Sequence, residues 1–459
     1  MHVSSRFKLF SAYKGKAFLC NAINGEIMIL SEAGGKALEA LRKKENIENP
    51  EFMELLAQKS LLFDSPEEEN NIFEQACIKS WDNYRKMAPY RYTFILNTQC
   101  NFHCPYCFES ESFHNKNESM QKSQIDAAFR LIGRQMEENP DQKKANIEIF
   151  GGEPLLPHAK PDLAYLLDKI SSYDYTASIQ TNGYYLLENL DLLSNDSNPI
   201  KVIQITIDGP MDIHNIRRIS HDGANTFRKI TEGIDAFLAL HLPIRLDLRT
   251  NVDRDNIEYL EELVSIYEEK GWTQSERVSF IAAPVENRSG NLLQTSKLLS
   301  WSDLFDRLFP LSTDKGGIYD LSIFKAINYF RSYFYNILND LPTENPLFPK
   351  VNYCDAAAAK YMIFHPDGRI YLCPESVGME ELAIGQYYPD VVIDQTKIAL
   401  WANQTILQRE QCKSCEISTF CGGGCCMASL TKNGAMDKPV CEDTQEIIAS
   451  YFQKIAEGM

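Results

Sequence analysis

Residues 92 to 107 read YTFILNTQCNFHCPYC, an apolar run followed at once by three cysteines. The apolar run predicts a buried strand, and Cys100, Cys104 and Cys107 come after it with the spacing CxxxCxxC. Three thiolates in one short loop can bind three irons of a 4Fe–4S cube and leave the fourth iron open to a small chelating molecule. The segment therefore predicts a strand that ends in an iron–sulfur site suited to radical chemistry.

The same three cysteines admit a plainer interpretation. A zinc ion could bind them with His103 or a distant residue as the fourth ligand, or the thiols could be buried and inert. Structural zinc is usually held by four protein ligands. In most extended loops the side chain of His103 would point away from its neighbours, so the three thiols favour the open cluster.

Strand-like runs and amphipathic helix-like runs alternate after this loop, which predicts an α/β fold with a parallel sheet. The expected strands are residues 92–96, 147–150, 176–179, 202–207, 244–248 and 278–281. Helices are expected between them, for instance at 123–137 and 227–240. Six strands of this kind predict a partial (β/α)6, TIM-like barrel.

Polar segments follow five of these strands at the same relative place. They are the cysteine loop 100–107, residues 151–154 (GGEP), residues 180–183 (QTNG), residues 208–210 (DGP) and Asn251. The loops at the C-terminal ends of parallel strands build the active site of such a barrel. We therefore expect one pocket at this end of the barrel, built by all five segments.

Seven further cysteines near the C-terminal end are equally ordered. They are Cys354, Cys373, Cys412, Cys415, Cys421, Cys425 and Cys441. Thiols that include a CxxC pair suit zinc as well as iron–sulfur clusters, so a zinc ribbon formed by any four of them stays open at this point. Cys20 and Cys77 stand apart and are expected to be small buried hydrophobic residues.

The first 75 residues predict a module of winged-helix size. Residues 9–30 are expected to form a β-hairpin with a type I′ turn at Asn24-Gly25, followed by helices Glu32–Arg42 and Pro50–Gln58. The acidic stretch 64–71 is expected to be a linker. The module is either a cap on the main domain or a docking module whose exposed strand edge pairs with an extended peptide.

The composition limits the class of protein. A chain of 459 residues that are 44% hydrophobic predicts two or three domains. No apolar run reaches the roughly 18 residues of a membrane span, and early charges argue against a signal peptide, so a cytoplasmic protein without a membrane partner is expected. In that reducing compartment, 13 cysteines favour metal ligands or buried thiols. The net charge of −17 argues against nucleic acid as a partner.

The order and spacing of these motifs resemble those of radical S-adenosylmethionine (SAM) enzymes. Residues 150–155 are similar to the GGEP loop of that family, and residues 179–183 and 206–210, followed by His214, Arg217 and Arg218, are similar to its later strand ends. The resemblance implies that Cys100, Cys104 and Cys107 hold a catalytic 4Fe–4S cluster that cleaves SAM. The resulting 5′-deoxyadenosyl radical would then abstract a substrate hydrogen.

The resemblance also implies which residues surround SAM. They are Tyr106, Gly151, Gly152, Glu153, Pro154, Gln180, Thr181, Asn182, Thr206, Asp208, Arg218 and Asn251. In this family the backbone and glutamate of the GGEP loop meet the amino group of SAM. An external electron donor such as flavodoxin or ferredoxin is expected to reduce the cluster.

The spacing of the seven C-terminal cysteines is similar to the SPASM extension of radical SAM enzymes that modify peptides or proteins. By that resemblance Cys412, Cys415, Cys421 and Cys441 would hold one auxiliary 4Fe–4S cluster. Cys354, Cys373 and Cys425 would hold another, which makes three clusters in all. The resemblance covers residues 90 to 445.

One position departs from this pattern. Some relatives supply a fourth ligand to the first auxiliary cluster where this chain has Lys360. Either an iron stays open there and accepts a substrate thiolate, or Cys426 or another residue completes the site. Between the barrel and the extension, residues 324–337 predict an aromatic core helix without a chemical role.

The expected domains are the N-terminal module at 1–75, the radical SAM barrel at 90–285, a helical bridging region at 286–350 and the SPASM domain at 351–459. Anaerobic sulfatase-maturating enzymes share the barrel and the SPASM extension, and their family pattern has an aspartate that acts as a base directly after the second SPASM cysteine. Here Cys373 is followed by Pro374 and Glu375. Glu375 and Asp355 are the candidates for deprotonating or orienting the substrate.

The N-terminal module resembles the leader-recognition element of maturases of ribosomally made peptides. That resemblance implies a precursor peptide with a leader sequence as the partner and a crosslink as the product. A thioether is favoured by the open-iron argument, whereas a carbon–carbon bond and epimerisation stay open. The alternatives are a sulfatase-maturating type of protein oxidase and a non-catalytic metal-binding peptide adaptor.

Overall fold

The computed structural model describes residues 2–11, 15–45, 47–109, 111–139, 145–195, 197–292 and 295–458. A sheet of ten strands runs through the barrel and the C-terminal part, and a three-stranded sheet forms most of the N-terminal module. Within the described ranges, no helix has the length and apolar character needed to cross a membrane.

The N-terminal module contains five strands and three helices within the described residues. The strands are β1 (His2–Val3), β2 (Phe7–Ser11), β3 (Ala17–Asn21), β4 (Ile27–Leu30) and β5 (Leu62–Phe63). The helices are α1 (Glu32–Arg42), α2 (Pro50–Gln58) and α3 (Pro66–Met87). Strands β2, β3 and β4 pair antiparallel in that order, so the predicted hairpin is part of a larger sheet. The predicted bounds of α1 and α2 are confirmed.

The predicted type I′ turn is wrong. The connection runs over residues 22–26, and of the pair Asn24-Gly25 only Gly25 has positive φ, at 77°. Side-chain contacts favour this longer loop: the amide oxygen of Asn21 accepts a 2.8 Å bond from the backbone N–H of Ile23, and the hydroxyl of Tyr329 donates a 2.7 Å bond to the carbonyl of Gly25. A two-residue turn would remove both contacts.

The predicted linker at 64–71 is also wrong, because most of it is the first two turns of α3. Ser65 caps this helix by accepting a 3.2 Å bond from the backbone N–H of Glu68, and Pro66 occupies the first turn. Acidic residues in a first turn are stabilised by the helix dipole. The proline and the acids that indicate a linker are therefore helix-start signals, and buried Glu69 accepts a 2.6 Å bond from the hydroxyl of Ser4.

Six parallel strands form the predicted partial barrel. They are β6 (Arg91–Ile95), β7 (Asn146–Phe150), β8 (Thr176–Thr181), β9 (Ile200–Thr206), β10 (Arg245–Val252) and β11 (Val278–Pro284). The accompanying helices are α4 (Glu111–His114), α5 (Lys122–Glu138), α6 (Lys160–Ser172), α7 (Leu190–Leu193), α8 (Met211–Arg217), α9 (Thr226–Ala239) and α10 (Leu260–Glu269). The α/β fold and the partial barrel are confirmed.

The two faces of the barrel strands differ in chemistry. On the outer face, apolar side chains pack against the helices, as Phe94 does on Phe129 of α5 with ring centroids 5.6 Å apart. Polar residues stand beside one another on the inner face, because neighbouring strands pair in register. The paired residues are Thr93 with Glu148, Gln180 with Gln204, and Thr206 with Arg249. This polar inner face supplies one wall of the candidate site.

The C-terminal part extends the barrel sheet. Strand β12 (Tyr361–Phe364) pairs parallel with β6, and β13 (Arg369–Tyr371), β14 (Gly385–Gln386) and β15 (Val392–Ile393) follow antiparallel. The helices are α11 (Trp301–Leu308), α12 (Lys325–Leu338), α13 (Gln395–Ala402), α14 (Glu410–Lys413), α15 (Ser418–Cys421), α16 (Cys426–Asn433) and α17 (Thr444–Gly458). The cysteine-rich part is therefore joined to the barrel by backbone hydrogen bonds.

An aromatic cluster ties the N-terminal module to the rest of the chain. Phe452 of α17 stacks on Phe18 of β3 with ring centroids 4.5 Å apart, and it contacts Phe330 of α12 at 5.0 Å. Phe330 and Phe452 are fully buried. The predicted aromatic helix is thus a core element, although Tyr329 on it also lines a cavity.

Candidate active site

The three cysteines of the loop after β6 lie on one wall of a cavity of about 400 Å³. Burial raises the pKa of Cys100, Cys104 and Cys107, and the neighbouring thiols raise those of Cys100 and Cys107 further. Without a cation all three are therefore protonated thiols. Because the thiolate is the form that binds metal, a cation bound here would displace their protons. His103 stacks on His221, with ring centroids 4.9 Å apart, and does not line this cavity.

The GGEP loop packs directly against the cysteine loop. Gly152 has φ of 52°, and a Cβ atom on it would overlap the carbonyl oxygen of Gln99 and lie 2.8 Å from the carbonyl carbon of Thr98. The backbone N–H of Glu153 donates a 2.7 Å bond to the same Gln99 oxygen. Only glycine at position 152 permits this close approach, which fixes the position of the backbone directly before Cys100.

Glu153 is fully buried and lies behind the cavity wall. Its carboxylate accepts bonds of 2.6 Å from the hydroxyl of Thr181, 2.7 Å from the backbone N–H of Asn182 and 2.8 Å from that of Leu155. Burial raises its pKa, although these hydrogen bonds act in the opposite direction. In this structure Glu153 therefore positions Thr181 and Asn182, which do line the cavity.

Asn182 connects the QTNG segment to the cysteine loop. Its side-chain nitrogen donates a 2.8 Å bond to the amide oxygen of Asn101 and lies 3.9 Å from the sulfur of Cys100. Gln180 and Thr206 line the same cavity. Of the GGEP residues, Gly151 and Pro154 do not line it.

Tyr106, between the second and third cysteines of the loop, is the centre of a charged network. Its hydroxyl donates to the carboxylate of Asp208 and accepts a 2.8 Å bond from the guanidinium of Arg218. The other carboxylate oxygen of Asp208 accepts a 2.9 Å bond from the backbone N–H of Asn251. Burial acts to lower the pKa of Arg218, but Tyr106, Cys104 and Asp208 outweigh it and raise that pKa. Four predicted cofactor residues are thus brought together.

Glu148 lies on the inner face and lines both cavities, although none of the sequence motifs includes it. Its carboxylate accepts bonds of 2.9 Å from the hydroxyls of Thr93 and Tyr361 and 2.8 Å from the amide of Gln180. It lies 3.8 Å from the guanidinium of Arg91. A sequence signal was present, since an acid inside the apolar strand 146–150 faces either solvent or a polar interior.

Glu109 and His114 also border the cysteine loop without having been predicted. A nitrogen of His114 lies 3.9 Å from the sulfur of Cys107 and 3.8 Å from the carboxylate of Glu109. The other ring nitrogen lies 2.8 Å from the carbonyl of Thr98, to which it donates. Burial raises the pKa of Glu109 to about 8, opposed by a hydrogen bond from the backbone of Gly152.

A second cavity of about 830 Å³ adjoins the first. Five residues line both cavities, namely Glu148, Gln180, Arg249, Tyr361 and Pro374. The lining of the larger cavity includes Cys354, Cys373 and Cys425. Burial raises the pKa of Cys373 well above its ordinary value, and Cys354 and Cys425 raise it further. The structure thus brings these three cysteines together on a cavity that adjoins the one lined by the cysteine loop of the barrel.

The remaining four cysteines form a separate group. Burial raises the pKa of Cys412 to about 12, and its neighbours Cys421, Cys415 and Cys441 raise it as well. Cys441 is exposed to solvent, so this group lies at the surface. The seven cysteines therefore fall into two groups of neighbours, three on the cavity and four at the surface.

Two residues at the departure from the SPASM pattern have other partners. The ammonium of Lys360 donates a 2.9 Å bond to the carbonyl of Ala88. Cys426 is buried, with its sulfur 3.4 Å from the guanidinium of Arg409, and it does not line the larger cavity although Cys425 does.

The two candidate acids are in different situations. Asp355 lines the larger cavity, but its carboxylate accepts bonds from the hydroxyl of Tyr84 and, at 3.1 Å, from the guanidinium of Arg91. Glu375 lines the smaller cavity together with the three barrel cysteines. One of its carboxylate oxygens is buried without a hydrogen-bond partner, and burial raises its pKa to about 7.

Residues 94–266 match the family model described as the radical SAM superfamily. The match spans most of the partial barrel and includes the three thiols at its C-terminal end, so this part of the chain is a radical SAM domain. Enzymes of this family bind a 4Fe–4S cluster and SAM. The donor set fits such a group, because among the described residues the only cysteines that line the smaller cavity are the three of the loop.

Several known proteins are similar to the chain. The cysteine-type anaerobic sulfatase-maturating enzyme of Clostridium perfringens is 19% identical over 78% of this chain and 94% of its own length. The radical SAM cyclopropyl synthase TigE of Paramaledivibacter caminithermalis is 22% identical over 78% of this chain and 73% of its own length. The structure of Streptococcus suis SuiB bound to the precursor peptide SuiA has a TM-score of 0.53 at 16% identity, over 95% of this chain and 98% of that chain, which shows a shared fold.

Proposed function

We propose that this radical SAM enzyme crosslinks a ribosomally made peptide, with a thioether as the favoured bond and a carbon–carbon bond as the other. The observation that carries the proposal is the pair of connected cavities. The larger one, of about 830 Å³, is lined by Cys354, Cys373 and Cys425, and the smaller one, of about 400 Å³, is lined by the barrel cysteines. Both volumes are in the range of ligand-binding cavities, and five residues line both cavities. A peptide that spans the two cavities would meet both sites at once.

The cofactors follow from the same arrangement. We propose that Cys100, Cys104 and Cys107 hold the 4Fe–4S cluster to which SAM binds, and that Asn182, Thr206 and the network around Tyr106 contact SAM. Two auxiliary 4Fe–4S clusters would be held by the surface group of four cysteines and by the cavity group of three. We propose that the cavity group keeps one iron open, since the ammonium of Lys360 donates to the carbonyl of Ala88. Cys426, which neighbours Cys354 and Cys425 as well as Arg409, is the alternative fourth ligand.

The chain's own residues would direct the reaction. When bound, the cluster and SAM supply the abstraction of a hydrogen atom from a substrate carbon. Arg91, Tyr361 and Gln180 hold Glu148 in place at the passage between the cavities. Glu375 lines the smaller cavity and has one carboxylate oxygen without a partner, so it is the proposed acceptor of the proton that leaves when a crosslink forms. The auxiliary clusters would take up the electron that leaves with that proton.

The N-terminal module would hold the leader of the peptide. Strand β4 is an edge of the three-stranded sheet, and Ile29 on it is 47% exposed, so an extended leader could pair there. The module is fixed to the surface cysteine group, since Lys8 and Arg42 lie 3.1 Å and 2.6 Å from the carboxylate of Glu416. The SuiB structure matches 95% of this chain. The unmatched 5% is shorter than the N-terminal module, so part of the module has a counterpart in the SuiB fold, which supports the proposal.

The function is tested with a displayed pool of random peptides that each contain one cysteine. Reconstituted enzyme, SAM and a reductant are expected to yield 5′-deoxyadenosine and a subset of peptides that lack two hydrogens. A thioether abolishes alkylation of that cysteine, whereas a carbon–carbon bond leaves it open to alkylation. A sulfatase-derived peptide with cysteine or serine at the modified position is the comparison. If only that peptide reacts, by oxidation of the side chain, the enzyme is of the sulfatase-maturating type and the proposal is wrong.

Iron counting separates the proposed clusters. Wild-type enzyme is expected to hold about 12 irons per chain, and Cys412→Ala about 8, because one cube of four irons is lost. Cys412→Ala should still cleave SAM, since its cluster lies outside the smaller cavity. Cys77→Ala, which removes a fully buried thiol of α3, is the matched control and should hold the wild-type amount of iron. Zinc in place of iron in the wild-type protein would favour the adaptor interpretation.

A further inference from the structure

The wall of the larger cavity carries more cations than acids. The acids that line it are Glu148 and Asp355. The cations that line it are Arg91, Arg249, Arg288, Lys325 and Lys350. A cationic interior is notable in a chain with a net charge of −17, and a cavity wall of one sign attracts ligands of the other.

The acids of the structure already neutralise two of these cations. The guanidinium of Arg91 lies 3.8 Å from the carboxylate of Glu148 and 3.1 Å from that of Asp355, so it occupies both acids of the wall. Arg288 lies 2.8 Å from the carboxylate of Glu286. Neither arginine is left to bind a carboxylate from outside.

The two lysines are also accounted for. Lys350 lies beside Cys421 and Cys354, both proposed cluster ligands, and its ammonium lies over the ring of Tyr353 at 5.5 Å. Lys325 is exposed to solvent, and its ammonium lies over the ring of Tyr353 at 4.7 Å. Water and the ring together stabilise that charge.

Arg249 is the cation of this wall that lacks an anionic partner. Its Nε donates a 2.8 Å bond to the amide oxygen of Asn251, and its two terminal nitrogens form no ion pair with any carboxylate in the described part of the chain. Burial lowers its pKa, while Asp208 and Glu286 act at longer range in the opposite direction. Arginine nonetheless stays charged in proteins. A desolvated guanidinium with free N–H groups is suited to bidentate binding of a carboxylate.

Arg249 borders three cavities of the candidate site. It lines the cavities of about 400 and 830 Å³ and a third of about 260 Å³. We propose that Arg249 binds a carboxylate of the peptide segment that enters these cavities, so that the crosslinked region of the substrate carries an acidic side chain or the C-terminal carboxylate. This inference rests on the proposed function.

SAM itself also carries a carboxylate, but a different arginine is nearer to its proposed site. Cys104 raises the pKa of Arg218, and the hydroxyl of Tyr106 from the cysteine loop accepts its hydrogen bond. Arg218 lines the smaller cavity, with the barrel cysteines, and not the larger one, whereas Arg249 also lines the larger cavity, which no barrel cysteine lines. Arg218 therefore suits the cofactor, and Arg249 suits the substrate.

The test uses three pools of random decapeptides and the reconstituted holoenzyme with SAM. The first pool has glutamate at its central position, the second has glutamine there, and both have amidated C-termini. The third has the central glutamine and a free C-terminal carboxylate. Peptides retained by wild type, Arg249→Gln, Arg249→Lys and Arg228→Gln are counted by mass spectrometry. Arg228 is the matched control, because its side chain is 75% exposed on α9 and pairs with Glu232.

Wild type and Arg228→Gln are expected to retain the first or the third pool at least about tenfold more than the second. Which pool is enriched identifies the carboxylate as a side chain or a C-terminus. Arg249→Gln should lose the preference. Arg249→Lys, which keeps the charge but not the two parallel N–H donors of the guanidinium, should retain part of it. The iron content of each variant, compared with wild type, shows that it has folded.

Three results would overturn the inference. Equal retention of all pools by wild type would show peptide binding without a carboxylate preference and leave the proposed function standing. A preference that survives in Arg249→Gln, with a loss of SAM affinity, would assign Arg249 to the cofactor. Failure of wild type to retain any pool would contradict the proposed function and this inference together.

Discussion

Cys104→Ala is expected to abolish SAM cleavage, with 5′-deoxyadenosine formation reduced by at least about 1,000-fold. Two thiolates cannot hold a cube that three hold in the wild type, so the iron that binds SAM is lost. The two C-terminal groups of cysteines lie outside the loop and should keep their clusters. The measurements are chromatography of 5′-deoxyadenosine and an iron count of about 8 per chain.

Cys20→Ala is the matched control for this prediction. Cys20 is a fully buried thiol of the N-terminal module, where burial raises its pKa well above the ordinary value, and it lies in neither cavity. That variant should cleave SAM at the wild-type rate. SAM cleavage that persists in Cys104→Ala would contradict the assignment of the catalytic cluster, and full iron content in that variant would contradict the count of three clusters.

Gly152→Ala is expected to weaken SAM binding by at least about 100-fold, since displacements near 1 Å in a site can have effects of that size. A Cβ atom there would overlap the carbonyl oxygen of Gln99 and lie 2.9 Å from that of Asn97, and the φ of 52° is unfavourable for alanine. The atoms that must move are backbone atoms directly before Cys100, so the cysteine loop moves with them. Equilibrium dialysis of SAM against the anaerobic holoenzyme measures the effect.

Gly316→Ala is the control that separates the effect of atomic overlap from the effect of the backbone conformation. Gly316 has φ of 80°, but a Cβ atom on it would meet nothing within 4 Å. This variant should lose only about 1 to 2 kcal/mol in the free energy of unfolding, from the left-handed conformation, and should bind SAM as the wild type does. If Gly152→Ala bound SAM with wild-type affinity and full iron content, the GGEP loop would not set the cofactor site.

Local patterns were sufficient for the barrel and for the helices near the N-terminus. The strand 92–96 and the later strands alternate with amphipathic runs, a pattern that predicts a parallel α/β sheet. The structure contains all six strands, with small shifts of their ends. The two wrong predictions, at Asn24-Gly25 and at 64–71, have different causes. At Asn24-Gly25 contacts with residues such as Tyr329 favour a longer loop than the turn signal predicts. At 64–71 the proline and the acids are the start of a helix that Ser65 caps.

The sequence by itself determined the chemistry of this protein. The spacing of the cysteines, together with the segments GGEP and QTNG, predicted an iron–sulfur radical enzyme, because ligands in a short loop stay close in any fold. Only the tertiary structure decided what surrounds them. It placed Glu153 behind the wall of the smaller cavity and Glu148 on that wall, and it left Arg249 without a carboxylate partner. Such placements depend on strand register and on which face of each strand turns inward, and no single segment of the chain encodes them.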